Sequence, residues 1–192
     1  MRLFIALTLN SQVHSELRSF IQALKPIAAN SIRWVDPANI HLTLKFLGEV
    51  EPPKLKQISA ELGQIASANV PFEFRVCGTG VFPAWNRPRI LWAGVDAQPD
   101  LISFQSQIDL STQALGFPSE ARAFSPHLTL GRVNESITPS QLAALRLKMD
   151  QEKEKVFGKV SANQVTIFQS TLRSSGPVYT PAAVYNISSS AG

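Results

Sequence analysis

His41-Leu42-Thr43-Leu44 and His127-Leu128-Thr129-Leu130 are one tetrapeptide written twice, in a chain of 192 residues that holds only three histidines. The two copies stand 86 residues apart, and other residues keep that offset: Glu49 with Glu135, Val70 with Val156, Phe82 with Phe168. A shared register over that distance marks an internal repeat. Each copy is followed by a proline-marked turn, Pro52-Pro53 or Pro139, and then by apolar residues at helical spacing: Leu55, Ile58 and Leu62, or Leu142, Leu145 and Met149. Ahead of each copy lies an apolar strand and then a helix, predicted over 2–9 and 11–25 in one half and 89–95 and 99–115 in the other. Further strands are predicted over 70–76 and 78–82, over 156–161 and 164–172, and over 177–187.

The expectation is therefore an α+β fold, a single bilobal domain over 1–192 with approximate halves 1–86 and 87–187 and a tail at 188–192. The halves would pack about a pseudo-two-fold axis, with antiparallel sheets lining a central groove and helices packed outside. A groove between two such halves is a natural ligand site.

Side chains on a strand alternate between its faces. Strict alternation sets His41, Thr43 and Lys45 on one face and Leu42, Leu44 and Phe46 on the other. It likewise separates His127 and Thr129 from Leu128 and Leu130. Under a two-fold the polar pairs face each other across the groove. Displacement at a phosphodiester phosphorus is in-line, so attacking water and leaving oxygen sit on opposite sides. The water needs a base and the leaving oxygen an acid. Histidine can serve as either near neutral pH. Threonine hydroxyls can donate to the non-bridging oxygens. One His-x-Thr alone would describe only a half-buried strand. Two in one register point to paired chemistry.

Composition narrows the alternatives. Hydrophobic residues make up 44% and charged residues 17%, as in ordinary globular chains. The net charge of +4 mildly favours anionic partners without a polybasic tail. The single Cys77 permits no internal disulfide, suits a reducing compartment, and is read as a small core residue. Residues 1–9 read as a buried first strand rather than a signal peptide, and no apolar stretch is long enough for a membrane-spanning helix. A zinc site needs three or four ligands. The third histidine, His14, sits on the first predicted helix beside Ser15 and Glu16 and reads as solvated. No metal or other cofactor is expected.

The two HLTL segments resemble the paired HxT signatures of the two-histidine (2H) phosphoesterases. With Phe4-Ile5-Ala6, Trp34-Val35, "RPRILWAGV" at 87–95, "SPHLTLGR" at 125–132 and "FQSTLRSSGPVYTP" at 168–181, the chain resembles the RNA 2′,3′-cyclic phosphodiesterase (2′-5′ RNA ligase) branch of that superfamily. The resemblance runs from residue 2 to about residue 186. It implies hydrolysis of RNA ends carrying a 2′,3′-cyclic phosphate to 2′-phosphomonoesters, and weak reversible 2′-5′ ligation of tRNA halves. By position it implies His41 and His127 as catalytic pair, Thr43 and Thr129 on the phosphate, and Arg132 as a further phosphate contact. By analogy His41 is the general acid and His127 the general base.

Arg132 falls by alternation on the wrong face, and a bulge at Gly131 would restore it to the groove. Expected RNA contacts are Trp85, Arg87 and Arg89, in an aromatic and basic proline-rich loop, and Lys45 and Phe46 on the motif strand, although parity sends Phe46 toward the core. The enzyme is expected to be a cytoplasmic monomer. Two readings stand beside it: a cyclic phosphodiesterase for small nucleotides or ADP-ribose cyclic phosphate, and a non-catalytic nucleotide- or RNA-binding module. The matched acid and base argue against the second, since binding alone needs neither.

Overall fold

The computed structural model describes residues 1–28, 30–173 and 176–188. The chain runs β1 (Arg2–Leu7), α1 (Ser11–Ala28), β2 (Ile32–Trp34), a 3-10 turn (Pro37–Asn39), β3 (Leu42–Glu49), α2 (Pro52–Ala68), β4 (Phe72–Phe82), β5 (Ile90–Val95), α3 (Pro99–Ala114), β6 (His127–Val133), α4 (Pro139–Gln151), β7 (Val156–Ala162), β8 (Gln164–Arg173) and β9 (Gly176–Asn186). The fold is α+β, as expected.

Helix formation follows the apolar spacing. Helix α1 buries Val13, Leu17, Phe20, Ile21 and Leu24 on one stripe. Asn10 caps it, its Oδ1 accepting from the Val13 amide at 2.9 Å. Helix α4 opens on a capping box between Thr138 and Gln141.

Two antiparallel sheets result, ordered β3-β1-β8-β9 and β2-β6-β5-β4-β7. The offset of 86 is written into their hydrogen-bond register. In the first sheet Phe4 stands between Phe46 of β3 and Phe168 of β8. In the second Ile90 stands between Arg132 of β6 and Phe82 of β4. Ala6–Thr43 and Leu7–Leu42 recur as Trp92–Thr129 and Ala93–Leu128. The repeat thus survives as matching three-strand units, β3-β1-β8 and β6-β5-β4.

Neither sheet belongs to one half of the sequence. Strand β4, from the first half, joins the second sheet, while β8 and β9 close the first. The first helix of each half crosses as well. Helix α1 packs on α4 and β7, and α3 packs on α2 and β3. The core is continuous through both sheets, from Leu3 and Ile5 to Val160 and Ile167.

Three local expectations change. The strands predicted over 70–76 and 78–82 are one strand, β4, with an irregularity between Val76 and Thr79 where Gly78 takes φ +79°. The short strand β2 is an addition to the expected elements; it pairs with β6 through Trp34–Gly131. Of the expected tail, 189–192 lies outside the described residues, and Ser188 is tied by its amide to the Ala66 carbonyl at 3.2 Å.

Candidate active site

Strands β3 and β6 carry the two motifs and approach one another. Both histidines are held in the same way. The ring Nδ1 of His41 lies 2.7 Å from the Asn39 carbonyl, and that of His127 lies 2.8 Å from the Ser125 carbonyl. A carbonyl only accepts, so Nδ1 carries the proton in both rings and Nε2 is left as the reactive nitrogen. The anchoring residues themselves obey the 86-residue offset.

A shared bulge decides what else reaches this face. Between Ile5 and Ala6 the ladder skips from Lys45 to Thr43, leaving Leu44 without an opposite number. Between Leu91 and Trp92 it skips from Gly131 to Thr129, leaving Leu130 unmatched. Two consecutive residues then point inward: Leu44 and Lys45 are buried, as are Leu130 and Gly131. Alternation resumes one step out of phase.

Arg132 thereby returns to the face of His127 and Thr129 and is exposed. Its counterpart in the first sheet is Phe46, 60% exposed on the face of His41. Parity sends Phe46 to the core, and the bulge reverses that. The same step corrects Lys45. It does not share the face of His41 but is buried on the helix side, with Nζ 2.5 Å from Asp109 Oδ1 and 2.7 Å from the Pro118 carbonyl. Burial works against the Asp109 carboxylate, but Lys45 and Ser119 outweigh it and hold its pKa low. Lys45 therefore braces the loop leading to β6 and touches no ligand in the groove.

The surroundings of the two histidines differ. His41 stacks on Phe4 at 4.6 Å and meets the edge of Tyr179 at 5.2 Å, with Phe168 behind at 6.2 Å. His127 meets Phe82 edge-on at 5.0 Å. Burial among these rings lowers the pKa of His41, and the bond to Asn39 offsets part of that effect. Tyr179 is pushed up by burial, while the nearby guanidiniums of Arg132 and Arg2 pull the other way. Arg132, on the second sheet, thus lies close to Tyr179, on the first. Phe4, Phe82, Phe168 and Tyr179 stand in the segments that carry the sequence signal; Phe82 opens the aromatic and basic segment expected at the groove edge, and sequence reasoning assigns none of the other three to the site. Phe82 and Phe168, which keep the repeat offset, are the readable signal.

The chemistry available is limited and well defined. Two imidazoles, two hydroxyls and one guanidinium can bind a phosphodiester and move protons on both sides of it. Among the described residues no group of three or more His, Cys, Asp or Glu is arranged to hold a metal ion. A cavity of about 660 Å³ lies elsewhere, lined by neutral residues including Thr8, Asn10, Ser161 and Gln164, which can supply neither acid nor base.

Comparison with known proteins decides the family. The LigT-like phosphoesterase profile matches residues 7–92 and again 94–179, one pass for each half of the repeat. The chain belongs to the LigT-like phosphoesterase family. A relative from Methanothermobacter thermautotrophicus, named RNA 2′,3′-cyclic phosphodiesterase, is 31% identical over 186 residues, covering 97% of this chain and 98% of its own. One of the same name from Methanocaldococcus jannaschii is 32% identical over 179 residues, 93% of this chain and 96% of its own. Among solved structures, a protein from Thermus thermophilus superposes with TM-score 0.83 at 26% identity, covering 99% of this chain and all of that one. Escherichia coli LigT complexed with 3′-AMP superposes with TM-score 0.77 at 26% identity over 97% of each chain.

The remaining residues expected in this phosphoesterase lie in the connection from β4 to β5. Arg87 and Arg89 are exposed and Trp85 is half-buried against the core. The Arg89 backbone is fixed from both sides, its amide donating to the Phe82 carbonyl at 2.7 Å and its carbonyl accepting from Val133 at 3.0 Å. That holds the loop beside Arg132. His14 is not simply solvated: its Nδ1 lies 2.8 Å from the Pro37 carbonyl, so α1 secures the 3-10 turn that ends in Asn39, the anchor of His41. No helix among the described residues is long and apolar enough to cross a membrane.

Proposed function

We propose that this phosphoesterase hydrolyses RNA ends bearing a 2′,3′-cyclic phosphate to 2′-phosphomonoesters, by acid–base catalysis shared between His41 and His127. The observation that carries this reading is the pair of matched histidines, each fixed through Nδ1 to the carbonyl two residues before it. The names of the relatives supply the substrate.

The steps balance without a metal or cofactor. Nε2 of neutral His127 takes a proton from water as its oxygen bonds to phosphorus. His41, protonated, gives its proton to the 3′ oxygen as the P–O3′ bond breaks. Thr43 and Thr129 donate hydrogen bonds, and Arg132 charge, to the non-bridging oxygens. Burial makes His41 a weaker base than a free histidine, hence a stronger acid once charged. A bound phosphodiester anion favours the charged form. When an RNA 5′-hydroxyl replaces the water, His127 takes its proton as that oxygen bonds to phosphorus and His41 protonates the departing 3′ oxygen, so the same groups support weak, reversible 2′-5′ joining of RNA ends such as tRNA halves.

Phe46, with Trp85, Arg87 and Arg89, is assigned to the RNA: the aromatic faces stack bases and the guanidiniums follow the backbone. The working form is a cytoplasmic monomer. The test is product analysis on an oligonucleotide ending in a 2′,3′-cyclic phosphate, beside a cyclic mononucleotide. A 2′-phosphate end formed faster on the oligonucleotide supports the reading. Turnover of the mononucleotide alone would move the assignment to small cyclic nucleotides, and turnover of neither would make this a binding module.

A further inference from the structure

The groove face of β1 carries Arg2, Phe4 and Ala6 in succession, since Leu3, Ile5 and Leu7 point into the core. Ala6 stands beside Thr43, and Phe4 stands between Phe46 and Phe168. One row further out the ladder passes from Leu3 to Gln169, so the next step sets Arg2 beside Ser170, which itself pairs with Tyr179. Arg2 and Ser170 are therefore neighbouring hydrogen-bond donors at this end of the sheet, while the Tyr179 ring leans inward against Phe4 at 5.0 Å and His41 at 5.2 Å. Arg2 is exposed, and among the described residues no carboxylate pairs with it. Glu49, opposite it on β3, takes the N-terminal ammonium at 3.3 Å instead.

At about 3.3 Å per residue, Arg2 lies roughly 13 Å along the strand from the row of Thr43. That is too far for its main contact to be the reacting phosphorus. It suits an anion one nucleotide away, on the far side of the aromatic row. The repeat has no equivalent: the residue 86 positions after Arg2 is Pro88.

We propose that Arg2 and Ser170 form a second phosphate subsite, which takes the 5′-phosphate of the nucleotide whose 2′,3′-cyclic phosphate reacts. In an RNA strand that group is the phosphodiester joining the terminal nucleotide to the rest. The subsite rests on the cyclic-phosphate reading above and deepens it. Arg2 then holds the penultimate phosphate and Arg132 the reacting one. The guanidinium carries the charge, while the Ser170 hydroxyl donates beside it.

The test uses two substrates that differ only at this group: adenosine 2′,3′-cyclic phosphate with and without a 5′-phosphate. The expected kcat/KM of the natural protein is about tenfold higher with the 5′-phosphate, the worth of one charge-assisted contact. Arg2→Gln should erase that preference, and Arg2→Lys should keep part of it. Equal rates on both substrates in the natural protein would overturn the subsite, as would an Arg2→Gln loss of equal size on both. Hydrolysis of neither, with the cyclic-phosphate oligonucleotide still turned over, would overturn the subsite alone; the cyclic-phosphate reading falls only if the oligonucleotide is not turned over either.

Discussion

At the residue scale, the proposed mechanism requires each histidine for chemistry and leaves it nearly dispensable for folding. His41→Ala and His127→Ala should each lose on the order of 10²–10⁴-fold in turnover. Their effects on stability should differ. His127 touches one ring edge, and its removal should leave the melt close to that of the natural protein. His41 stacks on Phe4, and its removal should cost about 1 kcal/mol. Retained activity in either variant, measured at saturating substrate, would remove that histidine from the mechanism.

The pKa of His41 makes a second prediction. Burial disfavours its charged form, so below the ordinary histidine value the unfolded chain binds this proton more readily than the folded one. Stability must then fall as pH drops below about 6.5. The loss stops growing once pH passes below the folded value. His41→Gln should flatten this part of the pH dependence in urea melts between neutral and mildly acidic pH. An unchanged slope would mean that His41 is not held low.

At the element scale, the repeat was legible, and so was the bulge in β6, which Gly131 marks; the matching bulge in β3 was not. Two HLTL segments, the 86-residue offset and the proline-led helices disclosed the order of elements and the matching placement of both His-x-Thr segments. Alternation then failed after Leu44 and Leu130, because an inserted residue in a strand has no sequence signal beyond a nearby glycine, and only β6 has one there. In β3 the bulged strand bears Lys45, whose buried ion pair supplies what an apolar residue would otherwise have to. Lys45→Met should leave Asp109 unpaired and cost about 2–3 kcal/mol, less than for a fully buried pair because Asp109 is 21% exposed. Adding Asp109→Leu should recover most of it. A single variant as stable as the natural protein in chemical denaturation would contradict this account of Lys45. The exchange of β4, β8 and the first helices between sheets was also hidden. Local periodicity defines elements, but partners distant in sequence are chosen by the packing of the whole core.

For the whole molecule, the claim is a groove with matched chemistry at its centre and a charged rim. Activity should survive exhaustive EDTA treatment; loss on chelation and recovery with zinc or manganese would overturn the assignment of the steps to histidines. If Arg87 and Arg89 follow a strand, affinity should rise with RNA length and fall with salt. Charge reversal at either should flatten the salt slope, and an affinity indifferent to length and salt would instead fit a small nucleotide. The near-symmetry of the halves leaves the division of labour between the histidines as the central point. It is tested most directly with a cyclic phosphate whose 3′ oxygen is replaced by sulfur, a leaving atom that needs little protonation. On that substrate His41→Ala should regain most of its lost rate and His127→Ala should not. Rescue of His127→Ala alone would exchange the roles, and rescue of neither, with sulfur verified as the leaving atom, would contradict acid catalysis by this pair.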